Sequence, residues 1–400
     1  MIPFSPPYIR QEAIDEVVDT LKSGWITTGP KTKIFEKKIS EYCNVEATLC
    51  VASATFGLEL ILRWFGVKPG DEVIIPAYTY CATANVIVHT GAKPVMVDIN
   101  TDYNISITNI RNAITERTKV IIPVDIAGLP CYYDKIYEIA KNNSLFIPET
   151  ENQKKLGRIL LLSDSAHSFG AVYKGQKSGR FADISVFSFH AVKNLTTAEG
   201  GAICLNLPES FDNKSLYNEL NILSLHGQSK DALAKTKIGG WRYDVITAGY
   251  KGNMTDIQAS LGLIALKYYD SEILPRRKEI FNYYTNAFKG YNWAETPVYN
   301  DDLRISSYHI YLFKVRKVTE NQRDKIIDEI YKQNVSVNVH FQPLPLLSFY
   351  KNMGYDINDY PIAYNNYSRT ITLPVNEVIT DEQLELVVKA VINAVNKVLG

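Results

Sequence analysis

Short apolar segments alternate with helix-like segments over the first half of the chain, and this alternation constrains the fold more than any other feature. The segments predicted as strands are residues 48–52, 72–75, 94–97, 120–124, 159–162, 184–188 and 202–205. Helical patterns lie between several of them, at 56–65, 107–114 and 133–141. Because parallel strands are joined by crossovers, usually helices, the pattern predicts an α/β fold with a largely parallel sheet covered by helices.

The regular apolar pattern breaks near residues 271–277, and shorter elements follow. The elements predicted beyond that point are strands at 308–315 and 335–339 and helices at 321–332 and 381–399. We therefore predict two domains, a large one at 1–270 and a smaller α+β domain at 271–400.

Composition excludes several classes of protein. Lys plus Arg and Asp plus Glu number 43 each, so no basic excess indicates a nucleic acid or an anionic membrane as partner. No apolar run approaches a membrane span, and the N-terminal residues lack the apolar core of a signal peptide. The five cysteines form no CxxC pair, which favours reduced, partly buried thiols over a disulfide or zinc framework. We expect a cytoplasmic protein without a metal, and we interpret its 26 tyrosines mainly as surface and interface residues.

The stretch from Ser163 to Gly201 contains the two main candidate functional residues. The predicted strand 159–162 ends in Asp164, at the position where α/β sheets place functional side chains. Lys193 follows the strand 184–188 and precedes a glycine pair, which is not typical of a solvated surface charge. Pyridoxal phosphate enzymes need such a pair, because a lysine forms a Schiff base with the cofactor and a carboxylate keeps the pyridine nitrogen protonated.

A structural interpretation explains each residue equally well when it is taken alone. An aspartate at a strand end commonly caps a helix or forms a turn, and a loop lysine is usually solvated. Only the combination of Asp164 and Lys193 favours a cofactor site.

A strand, a small polar turn and a helix follow one another at residues 48–65. The turn consists of Ser53, Ala54 and Thr55. Free backbone amides at a helix N-terminus bind anions, and the helix dipole adds to this attraction. A plain N-cap role for Ser53 or Thr55 explains the same residues, and the two roles are compatible.

Five segments of the chain resemble the DegT/DnrJ/StrS family of nucleotide-sugar aminotransferases. They are SDSAHSFGA, FSFHAVKNLTTAEGGAI, SGWITTGP, GDEVIIPAYTYCATAN and GYKGNMTDIQASLG. They occur in family order and span essentially the whole chain. The resemblance implies a pyridoxal phosphate enzyme of fold type I, with a mostly parallel mixed sheet in the large domain and a smaller C-terminal α+β domain.

The resemblance also assigns roles to particular residues. It implies that Lys193 is the Schiff-base lysine and that Asp164 contacts the pyridine nitrogen. The remaining residues that it assigns to the cofactor are Ala54, Thr55 and Ser188 at the phosphate, Tyr80 stacked on the ring, and His167 near the phenolic oxygen. The family usually has glycine at the position of Ala54.

Other residues are assigned to the substrate or to a neighbouring subunit. Thr28, His190 and His340 match positions that border the substrate pocket. Lys251 and Asn253 lie in a loop that in the family reaches the active site of a second subunit, which implies a homodimer with shared sites. The resemblance implies that they bind the cofactor, and either its phosphate or the donor carboxylate is their expected ligand. The commonest family pattern has asparagine and then arginine at those two positions, so this chain departs from it.

The implied reaction transfers an amino group from an amino acid, glutamate in our prediction, to a nucleotide-linked 4-keto or 3-keto deoxyhexose. One alternative is a sugar dehydratase of the same family, although those enzymes replace the lysine with histidine. The other is a cofactor-binding regulatory protein without catalysis. Residues 142–158 are polar and longer than the usual family connection, and we predict an inserted surface loop there.

Overall fold

Residues 1–230 and 241–400 are described in the computed structural model of the chain, and they contain three β-sheets. The strands are β1 Ala47–Val51, β2 Glu72–Pro76, β3 Lys93–Val97, β4 Thr118–Ile121, β5 Leu160–Asp164, β6 Val172–Tyr173, β7 Gln176–Lys177, β8 Ile184–Ser188, β9 Gly201–Leu205, β10 Ala294–Glu295, β11 Arg304–Ile305, β12 Tyr311–Val315 and β13 Thr370–Leu373. The helices are α1 Gln11–Ser23, α2 Pro30–Cys43, α3 Ala54–Trp64, α4 Cys81–His89, α5 Ile107–Ala113, α6 Tyr133–Lys141, α7 Glu151–Leu156, α8 Asn213–Ser224, α9 Asp256–Lys267, α10 Leu274–Phe288, α11 Glu320–Tyr331, α12 Ser348–Asn352, α13 Pro361–Tyr367 and α14 Asp381–Leu399. Residues 226–248 have no regular apolar pattern and are predicted to be irregular. Of these, residues 231–240 lie outside the described residues.

The largest sheet has seven strands in the order β1, β9, β8, β5, β4, β2, β3. Every neighbouring pair from β8 to β3 is parallel, whereas β9 is antiparallel to both β8 and β1. Helices follow β1, β2 and β3 directly along the chain. The predicted α/β fold with a mostly parallel mixed sheet is therefore confirmed. Among the described helices, none combines the length and apolar character needed to cross a membrane.

Most predicted elements are present with shifted ends. The helix predicted at 56–65 spans Ala54–Trp64, and the strand predicted at 308–315 begins only at Tyr311. The strand predicted at 335–339 is wrong. Val335 and Asn338 make only isolated bridges, to Ile2 and Thr372 respectively, because the backbone leaves each partner after one residue pair.

The C-terminal part of the chain has an apolar core of its own. This core contains residues from Ile280 to Val395 around β12 and β13, together with Ile2 from the N-terminus. It lies on a three-stranded antiparallel sheet in the order β10, β12, β13. We retain the division into domains at 1–270 and 271–400 as a proposal, with the addition that Ile2 packs in the second core.

Residues 142–158 are not only a surface loop, so that prediction is wrong in part. They include α7, whose Gln153 and Leu156 are buried. The Gln153 side chain donates to the carbonyl oxygen of Phe65 at 3.0 Å and accepts from the amide of Glu149 at 2.8 Å. Because both bonds are made by one buried amide, the segment is anchored against the end of α3.

We predict that Gln153→Ala lowers the free energy of unfolding by about 1–3 kcal/mol, because it removes both hydrogen bonds of a buried side-chain amide. Thermal and denaturant unfolding would measure this loss. Lys154→Ala, a change at an exposed neighbour on the same helix, is the control and is expected to stay within about 0.5 kcal/mol of the parent. Equal effects of the two substitutions would contradict the anchoring role of Gln153.

More of the tyrosines are buried than predicted. The buried ones are Tyr78, Tyr103, Tyr133, Tyr173, Tyr269, Tyr284, Tyr308, Tyr311, Tyr350, Tyr360 and Tyr367. The hydroxyl groups of several of these tyrosines form hydrogen bonds inside the protein. That of Tyr284, for example, donates to the carbonyl oxygen of Pro374 at 2.9 Å. Such hydrogen bonds offset the cost of removing the tyrosine hydroxyl from water. All five cysteines are free; four are buried and Cys81 is half-buried.

Candidate active site

The candidate site lies at the carboxyl edge of the seven-stranded sheet. Asp164 is the last residue of β5 and Ser188 is the last residue of β8, and these strands are parallel neighbours. Their side chains therefore reach the same edge of the sheet. The loop that carries Lys193 connects β8 to β9.

Asp164 is a buried carboxylate with few partners. One carboxylate oxygen accepts from the Thr83 hydroxyl at 2.8 Å, and the other accepts from the Ala166 amide at 3.2 Å. Burial raises the pKa of Asp164, while the Thr83 bond, the Ala166 bond and the nearby Lys193 ammonium act in the opposite direction. The carboxylate is thus poised to pair with a cation at this edge.

Lys193 is half-buried, and its ammonium group has no hydrogen-bond partner among the described residues. Burial lowers the pKa of Lys193 to about 8, and the Asp164 carboxylate opposes this decrease. At pH 7, the Lys193 amine is therefore neutral in roughly a tenth of the molecules. A lysine in this condition is a nucleophile and a base rather than a surface charge.

Three histidines lie around Lys193. The ring centroid of His167 is 4.4 Å from that of His309, and the His167 ring stacks on Phe341 at 5.7 Å. Burial holds the pKa of His167 and His309 well below the usual value, and it lowers the pKa of His340 to about 4, in each case with Lys193 adding to the effect. The Nδ1 atoms of His167 and His340 are buried without a hydrogen-bond partner among the described residues. Two neutral imidazoles therefore present free polar atoms near the lysine.

The turn before α3 has the geometry of an anion site. Ser53 caps the helix by accepting from the Phe56 amide at 3.1 Å, so its N-cap role is confirmed. Ala54 and Thr55 begin the helix, where backbone amides have no partner within it. Gly201 pairs with Ser188 and lies against this turn, so a Cβ there would lie 2.6 Å from the Ala54 nitrogen. A side chain at residue 201 would therefore clash with the turn, and glycine permits this close packing.

Tyr80 and His190 lie on the open side of the site. Tyr80 is 60% exposed, and its ring centroid is 5.9 Å from that of Phe341. The His190 ring lies 3.6 Å from the carboxylate of Glu199, and both side chains are exposed. His340 stacks on Phe4 at 5.5 Å and is more enclosed than either.

Thr28, Lys251 and Asn253 form a separate hydrogen-bonded group. Asn253 donates to the Thr28 hydroxyl at 2.5 Å, and the Lys251 ammonium donates to the Asn253 side-chain oxygen. Asn253 also bridges Val51 at the end of β1, which brings this group next to the turn before α3.

Three residues at the site were missed by reasoning from sequence: Thr83, Asn194 and His309. Thr83 contacts Asp164 from α4, and Asn194 bonds to His309 at 2.7 Å. Asn194 follows the lysine directly, which was the one local signal available for it. His309 lies in a segment predicted only as a strand, 308–315, and Thr83 lies between two predicted strands in a segment without a predicted element.

These residues fit pyridoxal phosphate. The turn at Ala54 and Thr55 offers free amides to a phosphate, the buried Asp164 carboxylate suits a protonated ring nitrogen, and Lys193 offers an amine without a competing partner. The unpartnered Nδ1 of His167 is available to a polar atom of the ring. No group of metal-ligating side chains occurs among residues 1–230 and 241–400.

Solved structures with high similarity cover the whole chain. The Streptococcus pneumoniae protein Spr1654, named as a sugar aminotransferase, is 48% identical in its PMP form, with all of both chains covered and a TM-score of 0.96. It is also known in a PLP form. Helicobacter pylori PseC, an aminotransferase involved in the biosynthesis of pseudoaminic acid, is 27% identical over 99% of each chain, with a TM-score of 0.86. The predictions of fold type I and of pyridoxal phosphate as cofactor are confirmed.

Sequence comparison agrees with the structural one. The spore coat polysaccharide biosynthesis protein SpsC of Bacillus subtilis is 38% identical over 397 residues, which cover 98% of this chain and 96% of that protein. The model of the DegT/DnrJ/EryC1/StrS aminotransferase family matches residues 7–392. The chain is an enzyme, and it belongs to the DegT/DnrJ/EryC1/StrS aminotransferase family.

Proposed function

We propose that this aminotransferase moves an amino group from an amino acid, L-glutamate, to a nucleotide-linked 4-keto or 3-keto deoxyhexose for aminodeoxy-sugar biosynthesis. Similarity to Spr1654, to PseC and to a polysaccharide biosynthesis protein supports a sugar as acceptor. The observation that carries the proposal is the half-buried Lys193, which lacks a hydrogen-bond partner among the described residues and lies near the buried Asp164.

Lys193 is proposed to act twice. Its Nζ first holds the cofactor covalently, and the low pKa favours the neutral, nucleophilic amine that this bond requires. Once free, the same Nζ would move a proton between the substrate carbon and the aldehyde carbon of the cofactor, in one direction with the amino-acid donor and in the other with the keto-sugar. A base with a pKa near the working pH suits both directions of that transfer.

Asp164 is proposed to hold a proton on the ring nitrogen. Pyridoxal phosphate supplies an aldehyde that accepts the amino group and a ring that absorbs negative charge when its nitrogen is protonated. Thr83 and the Ala166 amide orient the carboxylate, and they leave it room to accept one more hydrogen bond.

The remaining assignments concern orientation. Ala54, Thr55 and Ser188 are proposed to bind the phosphate, Tyr80 to stack on the ring, and His167 to contact its phenolic oxygen. The exposed face of Tyr80 and the unpartnered Nδ1 of His167 support the last two roles.

Substrate contacts are proposed for the more open residues. Thr28, His190 and His340 line the approach to Lys193 in this proposal, and Lys251 and Asn253 contact the cofactor phosphate of a second subunit. The chain would then act as a homodimer with shared sites, in the cytoplasm.

Two alternatives are less well supported. A sugar dehydratase of the same family would have histidine where this chain has Lys193. A regulatory protein without catalysis would not need the free amine, the buried carboxylate and the open helix terminus together. The intact set therefore favours amino transfer.

A two-stage assay tests the proposal. The purified, cofactor-loaded protein is mixed with glutamate, and release of 2-oxoglutarate is measured before a keto-sugar nucleotide is added. Amino transfer predicts one equivalent of 2-oxoglutarate per site in the first stage and an amino sugar in the second. Loss of water from the sugar without amination would identify a dehydratase, and no reaction with a panel of donors and keto-sugars would support the regulatory alternative.

We predict that Ser188→Ala weakens binding of pyridoxal phosphate about 10- to 100-fold, because a hydrogen bond to a charged group contributes about 1.5–3 kcal/mol. Equilibrium titration of the apoprotein with the cofactor measures this change. Ser210→Ala, at an exposed serine away from the site, is the matched control and should bind as tightly as the parent. Equal affinity of both variants would remove Ser188 from the phosphate site.

A further inference from the structure

Asn194, the residue after Lys193, is buried and makes side-chain hydrogen bonds to the distant segment 307–309. Its Nδ2 donates to the carbonyl oxygen of Ser307 at 2.7 Å and lies 3.4 Å from the Tyr269 hydroxyl. Its Oδ1 lies 2.7 Å from Nδ1 of His309. The backbone amide of Lys193, in contrast, bonds within its own loop, to the carbonyl oxygen of His190 at 2.9 Å.

The Ser307 carbonyl determines how the whole group is oriented. A carbonyl oxygen can only accept, so the Asn194 side chain must direct its NH₂ group to Ser307 and its oxygen to His309. That oxygen also can only accept, so Nδ1 of His309 carries the proton. Because burial also holds the pKa of His309 well below its usual value, the ring is a neutral imidazole with its lone pair on Nε2.

Segment 307–309 is itself held firmly. The Arg277 guanidinium donates to the carbonyl oxygens of Tyr308 at 3.0 Å and His309 at 2.7 Å, and its charge is paired with Glu377. Ser307 donates its amide to the carbonyl oxygen of Gly128 at 3.1 Å. A segment held by this many hydrogen bonds is already ordered, so it loses little further conformational entropy when another loop binds to it.

The same segment also contacts the second candidate cofactor residue on this side. The Ser307 hydroxyl donates to the backbone carbonyl of His167, and the His309 ring lies beside the His167 ring. Lys193 and His167 are therefore fixed relative to each other through residues 307–309, and Asn194 makes the connection on the lysine side.

We propose that Asn194, together with His309, is a positioning pair that holds Lys193 in its enclosed, partner-free location for the reaction. This inference rests on the proposed function for its catalytic consequence only. Its structural consequence can be measured without any cofactor or substrate. Neither residue needs to contact the reacting atoms.

The first test measures Lys193 in the apoprotein. Competitive labelling with acetic anhydride over a range of pH, followed by digestion and mass spectrometry, reports the pKa of that amine. We expect the parent to titrate near 8 and Asn194→Ala to titrate at least about one unit higher, toward the exposed value, because the loop no longer holds the ammonium in its buried place. An unchanged titration in Asn194→Ala would overturn the proposal.

Asn206→Ala is the matched control. The Asn206 side chain also donates to two backbone carbonyl oxygens, those of Arg180 and Ala182, both at 3.1 Å. Its loss should cost comparable stability, which thermal unfolding would record, without moving the Lys193 titration. A shift of equal size in Asn206→Ala would show a general loss of stability and would also overturn the proposal.

The second test measures catalysis. We expect Asn194→Ala to lower kcat about 10- to 100-fold with less than about a threefold change in KM for the keto-sugar, since orientation rather than binding is lost. The double variant Asn194→Ala with His309→Ala should lose no more than the more impaired single variant, as expected for residues that act as one unit. Multiplicative losses would contradict the pair.

Asn194→Asp keeps the proposal testable if the alanine variant does not fold. It retains an acceptor for His309 but places a carboxylate oxygen against the Ser307 carbonyl, so we expect the same direction of change in both tests. An Asp variant that matches the parent in titration and in kcat would refute the positioning role. Failure of the parent to transfer amino groups at all would refute the proposed function instead, and the labelling result would stand apart from it.

Discussion

Lys193→Ala is expected to lower the rate of amino transfer by at least about 10³-fold, because it removes both the covalent attachment and the proton-transferring amine from one site. Rapid mixing of the cofactor-loaded variant with glutamate would measure the first stage alone. Release of product is then not rate-limiting. The effect should appear in kcat, since the substrate pocket itself is unchanged.

The control for this substitution is an exposed lysine. Lys214 lies on α8 with three-quarters of its side chain exposed, and Lys214→Ala should react as fast as the parent. Addition of a small primary amine should restore part of the activity of Lys193→Ala, because a soluble base can then carry the proton. A Lys193→Ala variant that reacts within tenfold of the parent would refute the assignment of this lysine.

Asp164→Asn is expected to lower the same rate on the order of 10²-fold or more, because the amide keeps the shape of the carboxylate but supplies no negative charge to the ring nitrogen. An unprotonated ring absorbs developing negative charge poorly. The variant should still bind the cofactor, since Lys193 and the α3 turn are intact. Single-turnover rates and cofactor content, measured on the same preparation, would separate these effects.

Thr83→Val is the informative comparison for Asp164. It removes the 2.8 Å hydrogen bond but leaves the charge, so we expect a smaller loss, about tenfold. If Asp164→Asn reacted as fast as the parent while Thr83→Val did not, the carboxylate would act only through its shape and hydrogen bonding, and its charge would be irrelevant. That outcome would contradict the proposed role.

Local sequence signals were sufficient for the centre of the site. Asp164 and Lys193 each follow an apolar strand, and both strands end at the same edge of the sheet, so sequence order alone brought them together. The N-cap role of Ser53 could also be predicted, since a small hydroxyl residue before an apolar helix is a typical N-cap.

Contacts between distant segments could not be read from the sequence. His309 lies 115 residues from Asn194, and its position in an apolar strand pattern gave no sign of a polar partner. Gln153 in the predicted surface loop is buried for a similar reason, because only the fold brings the end of α3 beside it. The strand expected at 335–339 has suitable residues but lacks a partner strand over its length.

The most direct test of the central claim is to reduce the cofactor-loaded protein with borohydride and to locate the modified lysine by mass spectrometry. The account predicts one pyridoxyl group per chain, on Lys193, and its disappearance when glutamate is added before the reductant. Modification of a different lysine, or none at all in a protein that binds the cofactor, would contradict the account.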